Sequence, residues 1–121
     1  MASPDETTIK DLSDQLEQFC KERQWDRFHT PQNLAVSVAV EAGELLEHFQ
    51  WPDPEATSEH VAEHFTGIKE EVADVGIYLF ELARVLGIDL GQVMSDKIEQ
   101  NRTRYPLDAR NTKDGLPIHE R

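Results

Sequence analysis

Four carboxylates stand where a helical chain would ordinarily place apolar side chains. Glu41 follows Leu34 and Val38 on one side of a helical stretch, and Glu44 lies one turn further on. Glu71 and Asp74 repeat the i, i+3 spacing later in the chain, flanking Val72 and Val75, with Tyr78 one turn beyond Asp74. Two carboxylates about 4 Å apart repel by roughly 4 kcal/mol at an effective dielectric of 20. Four of them sharing a partly buried seam must take up protons or be compensated by cations. Oxygen-only ligands suit magnesium, with manganese as a substitute, better than zinc, which prefers nitrogen and sulfur. A solvated face is the ordinary place for a lone Glu in so acidic a chain, and Glu47, Glu70 and Glu81 are read that way. Glu47, one further turn beyond Glu44, could still reach a second metal.

The elements that must position these acids are all helical. Ile9, Leu12, Leu16 and Phe19 recur at helical spacing, which predicts a first helix from about Asp5 to Arg23. Thr30-Pro31 supplies an N-cap and a proline at the first helical position, so a second helix starts there and ends before Pro52, with Leu34, Val38, Ala42, Leu45 and Phe49 on its stripe. Residues Trp51 to Glu59 read as a loop, with Ser58 capping a long third helix. That helix carries Phe65, Ile68, Val72, Val75, Leu79, Leu82 and Leu86 and stops at Gly87. Asp89 caps a fourth helix bearing Leu90, Val93, Met94 and Ile98, which fades near Tyr105-Pro106. Residues 107–121 lack periodicity and read as a tail or oligomer arm, leaving residues 1–106 as the helical domain. No strand-like alternation or internal repeat is present, so the fold class is all-α.

Length and charge narrow the function. The chain has 121 residues, with 24 acidic against 12 basic, for a net charge of −12. Such a balance disfavours a grip on a nucleic acid polymer, which depends on Lys and Arg neutralising phosphates. One cysteine, Cys20, allows no intrachain disulfide and reads as a small buried hydrophobe. No run approaches the 18 apolar residues of a membrane span, and the expectation is a soluble, cytoplasmic protein. A chain this short hides only part of its apolar surface when it folds alone, which favours a homo-oligomer. His60 and His64, four apart, lack further His or Cys for a zinc site. No glycine-rich phosphate loop or nucleophile elbow is present.

Other residue types could serve a ligand. Lys97 and Asn101 are i, i+4 on the fourth helix and share a face, which is otherwise a solvated edge. Trp25 and Trp51 lie beside loops, where an aromatic ring either stacks on a base or fills core and interface.

The spacing Glu41-x-x-Glu44 followed by Glu71-x-x-Asp74 resembles the ExxE…ExxD signature of the MazG-like, all-α nucleoside triphosphate pyrophosphatases. The blocks WDRFHTPQNL (Trp25 to Leu34), EAGELLEHFQW (Glu41 to Trp51), EEVADVGIYL (Glu70 to Leu79) and KIEQNRTRYP (Lys97 to Pro106) are similar to the dCTP pyrophosphatase branch. The resemblance covers roughly Ile9 to Pro106. It implies a four-helix MazG-like bundle, oligomeric and commonly tetrameric, that binds Mg2+ on Glu41, Glu44, Glu71 and Asp74. It implies hydrolysis of a (deoxy)nucleoside triphosphate, dCTP or a modified dCTP, to monophosphate and pyrophosphate for nucleotide-pool cleansing. The same four acids would then be catalytic, one glutamate orienting or deprotonating the attacking water. Trp25, His29, Trp51, Tyr78, Lys97, Asn101 and Tyr105 would contact substrate, Tyr78 packing against the sugar. For His29 a capping or packing role is the alternative. The loop after Trp51 is short and Leu16 is apolar, so contacts that relatives make from those places are missing here. Competing readings are the same chemistry with another base preference, such as dUTP or broad specificity, and a non-catalytic helical interaction module. A di-iron bundle fits less well, since it calls for Glu-x-x-His motifs.

Overall fold

Short polar side chains set four of the helix starts in the structure, a computed structural model that describes residues 6–50 and 53–107. Helix α1, Ile9–Glu22, opens on a capping box: the Thr8 hydroxyl accepts from the Asp11 amide, and the Asp11 carboxylate accepts from the Thr8 amide, both at 3.1 Å. Helix α2, Pro31–Glu47, starts as the Thr30-Pro31 pair predicts, Thr30 accepting from the Asn33 amide. Helix α3, Pro54–Glu63, is capped by the Asp53 carboxylate, which accepts from the Glu55 amide at 2.9 Å. Helix α4 spans Phe65–Val85, and α5 spans Leu90–Arg104 behind the Asp89 cap. A 3-10 turn, Asp26–Phe28, joins α1 to α2.

Among the described residues, five α-helices therefore stand where four are expected. Asp53 takes the capping role assigned to Ser58, because its carboxylate directly precedes Pro54 at a first helical position. The long third helix is interrupted at His64, whose backbone leaves the helical region (φ −111°, ψ 20°) while its Nδ1 donates to the His60 carbonyl at 3.1 Å. The α1 start falls at Ile9, while Asp5 lies outside the described residues.

Two helix ends close with the same device. After α4, the Gly87 amide donates to Arg84 O and the Ile88 amide to Ala83 O, with Gly87 at φ 70°. After α1, Gln24 takes that left-handed position at φ 56°, its amide donating to Lys21 O and the Trp25 amide to Cys20 O. A side chain pays strain there that glycine does not.

The described residues divide between Ile88 and Asp89 into two compact units. Within the first, α4 is the central element: α2 packs along one side of it, and α1 and α3 pack elsewhere on it. Buried apolar residues among the described ones are Cys20, Leu34, Ile68 and Ala83. On α4, Glu71, Asp74, Val75, Tyr78, Glu81 and Leu82 are buried or half-buried. Of the stripe read off the sequence, Ile68, Val75 and Leu82 are buried or half-buried. Phe65, Val72, Leu79 and Leu86, at seven-residue spacing within that stripe, stay exposed. The stripe is thus only partly covered, and α2 packs on α4 so that Glu41 and Glu44 come close to Glu71. Between α1 and α4, Leu12, Leu16, Phe19, Ala73, Ile77 and Phe80 line an apolar groove of about 480 Å³. No helix among the described residues is long and apolar enough to cross a membrane.

Candidate metal and nucleotide site

The main helix contact of the first unit brings three of the four acids into one cluster, with Asp74 outside it but close enough for its charge to act on them. Glu41 and Glu44 come from α2, Glu71 and Asp74 from α4, and one oxygen each from Glu41, Glu44 and Glu71 lies within 4.8 Å of the others. Among the described residues, Glu41 Oε2 and Glu71 Oε2 are buried with no hydrogen-bond partner. Such atoms are costly to leave unsatisfied. Burial, then the proximity and charge of Glu44, push the Glu41 carboxyl up to about 7. Glu71 is raised as well, first by burial and then by the charge of Glu44, and Asp74 adds to both shifts. This is the electrostatic signature of a site short of positive charge. The donors are all carboxylate oxygens, so the residues present fit a hard divalent cation. Glu47 is exposed at the end of α2, and Glu70 is exposed on α4, as expected of solvated residues.

Glu81 is not solvated, contrary to the sequence reading. It is 1% exposed. Arg84 clasps it through Nε to Oε1 and Nη2 to Oε2, both at 2.7 Å, and His29 Nδ1 lies 2.8 Å from Oε2. Arg84 Nη2 also donates to Asp26 Oδ1 at 2.9 Å. Cys20 is buried as expected, with Sγ 3.8 Å from His29 Nδ1. Arg84 and Asp26 are members of this cluster that sequence reasoning missed. The signal available was the i, i+4, i+7 row Asp74, Tyr78, Glu81 on one face of α4.

The remaining candidates are placed as follows. Tyr78 is half-buried on the α4 face that carries Asp74. Trp25 is partly exposed, edge-on to Phe19 with ring centroids 5.3 Å apart. Trp51 lies outside the described residues, as do residues 108–121 of the expected tail. In the second unit, Lys97 is exposed and donates to Gln100 Oε1 at 2.9 Å, Asn101 is half-buried, and Tyr105 follows the last turn of α5 with the Arg104 guanidinium 5.4 Å from its ring centre. The His60 and His64 rings stack at 4.2 Å, with His48 6.0 Å from His60.

A family model described as the MazG-like family matches residues 36–114. Curated relatives include the dCTP pyrophosphatase 1 of Bos taurus, 38% identical over an alignment of 107 positions, with 84% of this chain and 62% of the bovine protein covered. The Homo sapiens protein of the same name is 38% identical over an alignment of 106 positions, with 84% of this chain and 61% of its own length covered. The chain thus spans about three-fifths of the length of these relatives. Among solved structures, a pyrophosphatase from Archaeoglobus fulgidus superposes with a TM-score of 0.78 at 36% identity, covering 88% of this chain and all of that one.

Proposed function

Because the chain belongs to the MazG-like family, we propose that it hydrolyses nucleoside triphosphates to monophosphate and pyrophosphate with a divalent cation, preferring dCTP or a modified dCTP. The observation that carries this reading is the pair of buried, partnerless oxygens on Glu41 and Glu71, facing one another across α2 and α4 in a cluster of like charge. Glu41, Glu44, Glu71 and Asp74 would hold the ion, magnesium by the hardness of the donor set, with manganese able to replace it. When bound, such an ion supplies the charge that admits a triphosphate, polarises its phosphoryl oxygens and lowers the pKa of water.

The chain's own residues then bind, orient and move a proton. Water attacks the α phosphorus, the bond to the oxygen bridging α and β breaks, and a carboxylate among Glu41, Glu44 and Glu71 takes the proton. Tyr78 would pack on the sugar, His29, Trp25 and Trp51 would contact the base end, and Lys97, Asn101 and Tyr105 would meet phosphate and nucleoside. Removal of unwanted nucleotides from the pool is the role that fits this chemistry. The exposed row Phe65, Val72, Leu79 and Leu86 supports assembly into a homo-oligomer, a tetramer being our proposal.

The test is 31P NMR of each common deoxy- and ribonucleoside triphosphate incubated with the chain and magnesium. Monophosphate and pyrophosphate, formed fastest from dCTP, are expected. Faster turnover of another nucleotide overturns the base preference, and orthophosphate as the product overturns the site of cleavage.

A further inference from the structure

Among the described residues, a second group of titratable side chains lies apart from the four acids: buried Cys20 on α1 and Glu81 on α4, half-buried His29 ahead of α2 and Arg84 on α4, and exposed Asp26 in the 3-10 turn. Burial pushes the Glu81 carboxyl up, but the hydrogen bonds of Arg84 and His29 outweigh it and hold the group below its ordinary range. It is therefore a carboxylate ion, and a carboxylate has no proton to give. The 2.8 Å contact to His29 Nδ1 then requires that the ring carry its hydrogen on Nδ1. Cys20 does not compete for that role, since burial and then the charge of Glu81 push its thiol up to about 11. Nor does the group suit a metal, because the Arg84 guanidinium already contacts both Glu81 oxygens.

Two further observations give the arrangement a direction. The His29 side chain remains 17% exposed, and its Nε2 has no hydrogen-bond partner among the described residues. Glu81 shares the α4 face of Asp74 and Tyr78 and lies two turns, about 10.5 Å, along the helix from Asp74. A nucleotide with its phosphates at the acids is long enough to bring its nucleoside toward the ring.

We propose that Glu81, Arg84 and Asp26 are a positioning clamp, fixing His29 as the tautomer with hydrogen on Nδ1 so that Nε2 is left to accept from a hydrogen-bond donor of the nucleoside. The donor is an exocyclic amine or a sugar hydroxyl. The proposal rests on the reading that the acids hold the phosphate end. Arg84 does two jobs in it: it neutralises Glu81, and through Asp26 it ties the turn that delivers His29 to α4.

The experiment is long-range 1H–15N correlation NMR on the full chain with 15N-labelled histidine, alone and with deoxycytidine monophosphate and magnesium, beside kinetics of Glu81→Gln. In the wild type His29 is expected with hydrogen on Nδ1, and the nucleotide shifts its Nε2 resonance. In Glu81→Gln the tautomers mix, and KM for dCTP rises about 10-fold with kcat nearly unchanged, the loss of one well-formed hydrogen bond. A larger KM effect for dCTP than for dUTP assigns the donor as the amine, and an equal effect assigns it as a hydroxyl; both uphold the clamp. Hydrogen on Nε2 in the wild type overturns the proposal even if the variant does not fold. A Glu81→Gln chain that melts earlier at unchanged KM also overturns it, leaving the cluster a purely structural tie. If no triphosphate is hydrolysed by the wild type, the acid-site reading fails separately, and the Nε2 response to the monophosphate still decides the clamp.

Discussion

Glu41 has an ordinary value of 4.5 and stands at about 7 in the folded chain. Between those values the folded state binds a proton that the unfolded state has released, so stability falls as pH rises. The contribution of Glu41 to the stability of the metal-free chain is fully present below 4.5 and is lost as pH rises through 7. In chelator, the melting temperature is therefore expected to decline across that window; magnesium should remove the decline, and Glu41→Gln should flatten it even without metal. A melting temperature in chelator that rises steadily over the window contradicts the burial of Glu41 beside like charges. The acids themselves were legible in the sequence, because i, i+3 carboxylates on the edges of apolar stripes are visible without tertiary structure. Glu81 was not. Its burial depends on His29, 52 positions away, and on a guanidinium whose orientation no local spacing reveals.

At the scale of elements, caps were readable where a single polar residue precedes a helix, as at Thr30 and Asp89. They were missed where two candidates stood close together, as at Asp53 and Ser58. The face of α4 was harder still. Its apolar residues cover more than one side, and the sequence does not say which side α2, α1 and solvent each receive. The end of α1 offers a direct check. Gln24 holds a backbone conformation that costs a side-chain-bearing residue about 1 to 2 kcal/mol, partly offset for glycine by its larger unfolded-state entropy. Gln24→Gly is expected to stabilise the chain by about 0.5–1 kcal/mol in urea denaturation. Destabilisation there would mean that the Gln24 side chain holds the turn before His29 in some other way.

For the whole molecule, the few buried apolar residues contrast with the exposed row Phe65, Val72, Leu79 and Leu86 and the groove between α1 and α4. Surfaces of this kind seek a partner. Sedimentation at micromolar concentration should give a multiple of 13.9 kDa, and Leu79→Asp should shift it toward the monomer. A wild-type monomer would refute the assembly. The central claim is tested most directly by pyrophosphate release from dCTP, measured for the wild type, Glu41→Gln and Asp74→Asn, each with magnesium and with chelator. Release is expected only from the wild type with magnesium, with both folded variants reduced by more than about 100-fold, beyond the loss typical of disturbing a ligand's support. Equal release from the wild type and either variant, or release undiminished by chelator, would contradict a metal held by these four carboxylates.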